Sequence, residues 1–166
     1  PLITERGWDL WSFGDSRLSP DKKWLIVPLY SGSANYDSSE FFNLEAVDLT
    51  NLSPPIPLTI NGGAHASATW SPDGTLVAFS DYDSQGILQV FQATPDGQNI
   101  EQLTFHAESV NGIRSIVWKP DGSQIAYAGI NRFPSGEPKE SWIDIINLDS
   151  HEIIHVQPSQ LSFVGQ

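Results

Sequence analysis

One turn recurs along the chain at nearly constant spacing. Leu18-Ser19-Pro20-Asp21-Lys22, Trp70-Ser71-Pro72-Asp73-Gly74 and Trp118-Lys119-Pro120-Asp121-Gly122 stand 52 and 48 residues apart. Self-similarity at such a period confines a chain to stacked or radial repeats. Each copy leads into a short apolar run: Trp24 to Val27, Leu76 to Phe79, Ile125 to Ala128. A third run follows each time, at Phe41 to Val47, Ile87 to Phe91 and Trp142 to Ile146. Each unit closes on a fourth, at Ile56 to Thr59, Ile100 to Thr104 and Ile153 to Val156.

The turn chemistry explains why these runs pair. Proline presets φ at the first turn position, and Asp-Gly accommodates the tight reversal. The first and second runs of each unit therefore form a hairpin. Pro95-Asp96-Gly97 joins the third and fourth runs of the middle unit, and Asp48 to Asn51 and Leu148 to His151 do the same in the others. No stretch of 11 or more residues carries a 3.6-residue period, so almost no helix is expected. Four short strands per unit of about 50 residues predict an all-β chain, a β-propeller of three four-stranded antiparallel blades. Their bounds are expected near residues 5–59, 60–104 and 105–157, with 158–166 leading toward a further blade. Many runs are continuously apolar, as strands packed on both faces require.

The pattern Leu-Thr, linker, Trp-Ser-Pro-Asp-Gly, then a Val-Ala-Phe strand resembles the TolB-like, WD40-like (PD40) propeller repeat. It reads Leu58-Thr59 to Trp70 through Ser80, and again Leu103-Thr104 to Trp118 through Tyr127. The first unit departs from it, with Leu18 for Trp and Lys22 for Gly. The resemblance implies a six-blade ring of which three blades are half, a protein–protein binding role, and a periplasmic or extracellular setting. Rings typically need four to eight blades. A second copy is therefore expected to close the ring by self-association, the alternatives being a covalent continuation of the chain or another protein supplying the other half.

Composition narrows the partners. Twenty acids oppose eight bases, and no Lys or Arg occurs from Trp24 to Ile113. Binding to phosphates needs Lys/Arg stripes, so no nucleic-acid partner is expected, and the acidity favours a basic protein or peptide. No apolar run approaches 18 residues, which gives no membrane-inserting helix. Cysteine is absent, removing disulfides and thiolate chemistry.

In a blade the tight Pro-Asp-Gly turns lie on one rim. The inter-blade links and second-to-third loops lie on the other. Variable loops on a rigid scaffold usually carry binding. The rim segments are Ser31 to Glu40, Asp81 to Gly86, Gly129 to Ser141, Asn61 to His65 and Phe105 to Gly112. They nominate Tyr36, Asp37, His65, Tyr82, Asp83, His106, Arg132 and Phe133 as binding residues, with His65 and His106 near the channel mouth. Asp81 to Gly86 superficially resembles a calcium loop but has Gln92 where the twelfth-position acid belongs. His151 and His155, four apart, lack an evident third ligand. No metal, no cofactor and no catalytic residue is expected, because the Gly-x-Ser-x-Gly, His-Glu-x-x-His and Gly-rich phosphate motifs are all missing. The expected function is a non-catalytic scaffold for protein or peptide binding. The alternatives are the propeller portion of an enzyme, such as a gating domain of a prolyl-oligopeptidase-type peptidase or a sugar- or metal-binding propeller, and an excerpted or designed half-propeller.

Overall fold

A computed structural model describes residues 18–30, 42–51, 53–59, 67–107, 110–136 and 138–156. Among them the order is β1 Trp24–Tyr30, β2 Phe42–Asp48, β3 Ile56–Pro57, β4 Ala68–Trp70, β5 Val77–Tyr82, β6 Leu88–Ala93, β7 Glu101–Gln102, β8 Gly112–Trp118, β9 Gln124–Arg132, β10 Pro138–Asn147 and β11 Ile153–Val156. No described residue is helical. β4-β5-β6-β7 and β8-β9-β10-β11 form four-stranded antiparallel sheets. β1-β2-β3 form the first blade, with a Leu18–Leu25 bridge where a first strand would lie. The architecture is that of consecutive propeller blades.

The recurring turn is built by local hydrogen bonds. Gly74 N–H donates to the Ser71 carbonyl at 2.9 Å, and Gly74 takes φ +74°. The Ser71 hydroxyl donates to Asp73 at 2.6 Å and accepts from Leu76 N–H at 2.9 Å. The same clasp returns around Ser19 and Asp21, where Lys22 takes the left-handed position at φ +61°. A Cβ at Gly74 would lie 3.1 Å from Pro20 Cδ, so the turn of the second blade rests on that of the first.

Apolar faces join the blades. Ile26, Leu44 and Ala46 of the first pack with Val77, Phe79 and Ala93 of the second. Ala78, Leu88 and Val90 on the opposite face of the second pack with Ile113, Ile125, Tyr127 and Ile146 of the third. Burying a side chain of this kind contributes roughly 1.5–3 kcal/mol, so the blade interfaces carry much of the stability. Antiparallel order also settles the rims: the links and the β5–β6 and β9–β10 loops share one, and the Pro-Asp-Gly turns the other.

Two predicted loops are shorter than expected. β5 runs to Tyr82, and β9 and β10 pair as far as Arg132 and Pro138. Much of Gly129 to Ser141 is therefore strand. Cross-strand pairing extends through polar residues that the sequence pattern reads as loop.

Candidate functional site

The repeat permits position-by-position comparison of blades. Val77 and Ile125 each follow the turn by the same count and pair with Ala93 and Ile146. Phe79 of the second blade then corresponds to Tyr127 of the third, Phe91 to Asp144, Gln89 to Trp142 and Asp81 to Gly129. In the second blade Phe79 and Phe91 stack at 6.0 Å between ring centroids. The third blade has a hydroxyl and a carboxylate in the same two places.

Those two groups anchor a buried polar cluster. The Tyr127 hydroxyl donates to Asp144 Oδ2 at 2.6 Å, and Trp142 Nε1–H donates to the same oxygen at 3.0 Å. His155 Nδ1 meets Asp144 Oδ1 at 2.6 Å. Asp144 is 4% exposed, so its charge depends on these three partners. The tyrosine hydroxyl has one hydrogen, which it donates to Asp144. His106 Nε2, 2.9 Å from the hydroxyl, must then be the donor. Burial pushes the His106 pKa down, opposed in part by the Asp144 charge. Burial raises the Tyr127 pKa far above its ordinary value, and the bond to Asp144 and its charge add to this.

The surroundings hold the cluster in place. Gln89 grips the link at His106 twice: its Oε1 accepts from His106 N–H at 3.0 Å and its Nε2 donates to the His106 carbonyl at 3.1 Å. Thr104 completes the grip by donating to Gln89 Oε1 at 2.8 Å. Trp142 lies flat over Gly129, where a Cβ would come 2.2 Å from the indole. The third blade thus has a glycine where an indole is seated.

Beside the cluster a cleft of about 410 Å³ opens on the link rim, lined by His106, Ala107, Val110, Asn131, Glu140, Trp142, Asp144 and His155. Asn131 and Glu140 are cross-strand partners at the mouth, next to a register shift between Pro138 and Glu140. Bulges commonly re-aim side chains beside sites. A second cleft of about 420 Å³ lies on the other rim between the turns of the second and third blades. Its carboxylates, Asp73 and Asp121, are bound within their own turns.

Of the eight nominated residues, Tyr36, Asp37 and His65 lie outside the described residues. His106 lines the cleft. Asp83 stands one step behind it: Oδ2 accepts from Gln89 at 3.0 Å, while Oδ1 caps its own turn through Gln85 and Ile87 N–H. Arg132 and Phe133 follow Asn131 at the rim; the Arg132 guanidinium donates to the Gly136 carbonyl at 2.8 Å, and Phe133 is about half exposed. Tyr82 packs against the core between the second and third blades. His151 and His155 part company, since His151 lies 3.9 Å from Glu101 and His155 joins Asp144. Among the described residues no three His, Asp or Glu converge as metal ligands. Tyr127, Asn131, Glu140, Trp142 and Asp144 were not nominated. Their signal was the break in the repeat, a Tyr and an Asp where the second blade has two Phe.

No known protein-family profile matches the sequence, and no curated protein matches it. Solved structures do. TolB from Acinetobacter baumannii superposes with a TM-score of 0.59 at 19% identity, over 87% of this chain and 32% of that one. The β-propeller domain of the trilobed protease from Pyrococcus furiosus gives 0.55 at 18%, over 87% and 42%. An oligogalacturonate lyase in complex with manganese gives 0.56 at 19%, over 87% and 41%. The chain has the TolB-like β-propeller fold and spans about a third to two-fifths of these relatives' length.

Proposed function

We propose that the chain is a non-catalytic binding module that engages a protein or peptide over its link rim, at the cleft beside the third blade. One observation carries this reading: where the second blade stacks Phe79 on Phe91, the third sets a hydrogen-bonded Tyr127–Asp144 pair, and Asp144 lines the cleft. A buried carboxylate costs several kcal/mol in desolvation, which its hydrogen bonds at best roughly offset. Local rules broken in this way tend to mark functional places. Exposed aromatics flank the lining residues in sequence. Phe105, beside His106, is 76% exposed, and Phe133 is two residues past Asn131. Aromatic anchors around a polar pocket suit recognition of an extended segment.

Panning a random peptide library against the protein tests this. Enrichment that collapses in a Phe105→Ser/Phe133→Ser variant is expected; enrichment unchanged by that variant would overturn the reading. A second reading, that the chain is the propeller portion of an enzyme, draws on the protease and lyase among its structural neighbours. Peptide hydrolysis, or cleavage of an acidic oligosaccharide, by the full gene product would favour it.

A further inference from the structure

We infer that the cleft beside the third blade binds a guanidinium group, that of an arginine side chain in the partner. This rests on the proposed binding role and names the chemistry the pocket selects.

The cleft holds polar atoms with unused valences. Asn131 Oδ1 is buried and has no hydrogen-bond partner. Glu140 is exposed at the mouth, forms no ion pair with a described residue, and faces Asn131 across the strands. His106 donates through Nε2 to Tyr127, so in its neutral form Nδ1 is an acceptor. His155 turns Nδ1 to Asp144. Against the one amide donor group of Asn131, the cleft thus offers acceptors at Asn131 Oδ1, Glu140 and His106 Nδ1, and no Lys or Arg is among the described residues lining it. Such a pocket calls for a ligand made of donors.

Two considerations select guanidinium. A single metal ion needs converging ligands, and the described residues offer no such group. A guanidinium instead spreads five N–H donors over a plane and is less strongly hydrated than ammonium. It can reach separated acceptors at once, and the bond to Glu140 would be charge-assisted.

The test is titration of N-acetyl-arginine amide into ¹⁵N-labelled protein at pH 8 and low salt. The Trp142 indole N–H, assigned by its loss in Trp142→Phe, is the reporter. A saturable shift is expected, absent with N-acetyl-citrulline amide, which keeps the shape without the charge. Glu140→Gln, an exposed change, should weaken binding about tenfold, the effect of losing one charge-assisted bond. Asn131→Asp should tighten it. An equal response to citrulline, indifference to Glu140→Gln, or the same shift produced by Mn²⁺ or Zn²⁺ alone would overturn the assignment. Peptides enriched on the rim without arginine would also overturn it while leaving the binding role standing. A saturable guanidinium shift with no peptide enriched would uphold the pocket and remove the peptide reading.

Discussion

Asp144 occupies the place that Phe91 fills one blade earlier, and everything around it follows from keeping that charge satisfied. Its three donors come from β9, β10 and β11. Tyr127→Phe removes one of them and also leaves His106 Nε2 without its acceptor. A loss of about 2 kcal/mol is expected in urea unfolding, the usual cost of a buried polar group stripped of its partner. Gly129→Ala would drive a methyl into the Trp142 indole. A loss of about 1–3 kcal/mol is expected, together with a displaced Trp142 indole resonance. His106 makes stability depend on pH. Its folded pKa is lowered, so the unfolded chain takes up the proton first as pH falls. Stability is whole above the ordinary histidine range and declines below it toward the folded pKa. Urea midpoints from pH 8 to 5 should show that decline, and His106→Gln should flatten it. At this scale the sequence was only partly legible. His106 was found because it lies in a link. Tyr127 and Asp144 were not, because a polar residue inside an apolar run reads as an ordinary strand position until blades are compared.

Among the elements, the turns were the most legible, because their chemistry is local. Ser-Pro-Asp-Gly predicts its own hydrogen bonds, and the structure forms them. Strand ends were less so: β9 and β10 extend beyond the predicted runs because pairing with a neighbour, absent from any local pattern, holds them. Lys22 stands at the left-handed position that Gly74 and Gly122 fill elsewhere. A side chain there costs roughly 1–2 kcal/mol, partly regained from glycine's greater unfolded freedom. Lys22→Gly should therefore stabilise the protein by about 0.5–1 kcal/mol in urea unfolding. The turn aspartates carry an acid sensitivity. Hydrogen bonds, first from Ser71 to Asp73 and from Thr94 to Asp96, hold their carboxyls below the usual range. The unfolded chain then binds more protons below about pH 4, and stability present above that point is lost as pH falls further.

For the molecule as a whole, the outer faces of the second and third blades tell different stories. Ala78, Ser80 and Val90 are fully buried against the third blade. Their counterparts Ala126, Ala128 and Ile143 are only partly covered, with Val117 and Ile154 about half exposed nearby. We propose that another blade covers this face, supplied by a second copy in a closed ring. Sedimentation of this chain should then give about twice 18.3 kDa. A monomer of 18.3 kDa that stays soluble at high concentration would exclude the two-copy ring. The radial architecture could be read from the repeat, whereas ring closure depends on surfaces the repeat does not specify.

Trp118 gives this arrangement a further consequence. From the inner strand of the third blade its Nε1–H reaches back to the Thr69 carbonyl of the second, at 3.3 Å and 49 residues away. That separation is about one repeat length, and the bond ties together adjacent blades. Cooperativity in such a chain passes from neighbour to neighbour, as in a one-dimensional array of coupled units. Trp118→Phe, which keeps the ring and removes the donor, should leave each blade able to fold while loosening the synchrony between them. Amide exchange of the second and third blades would then separate into two kinetic groups.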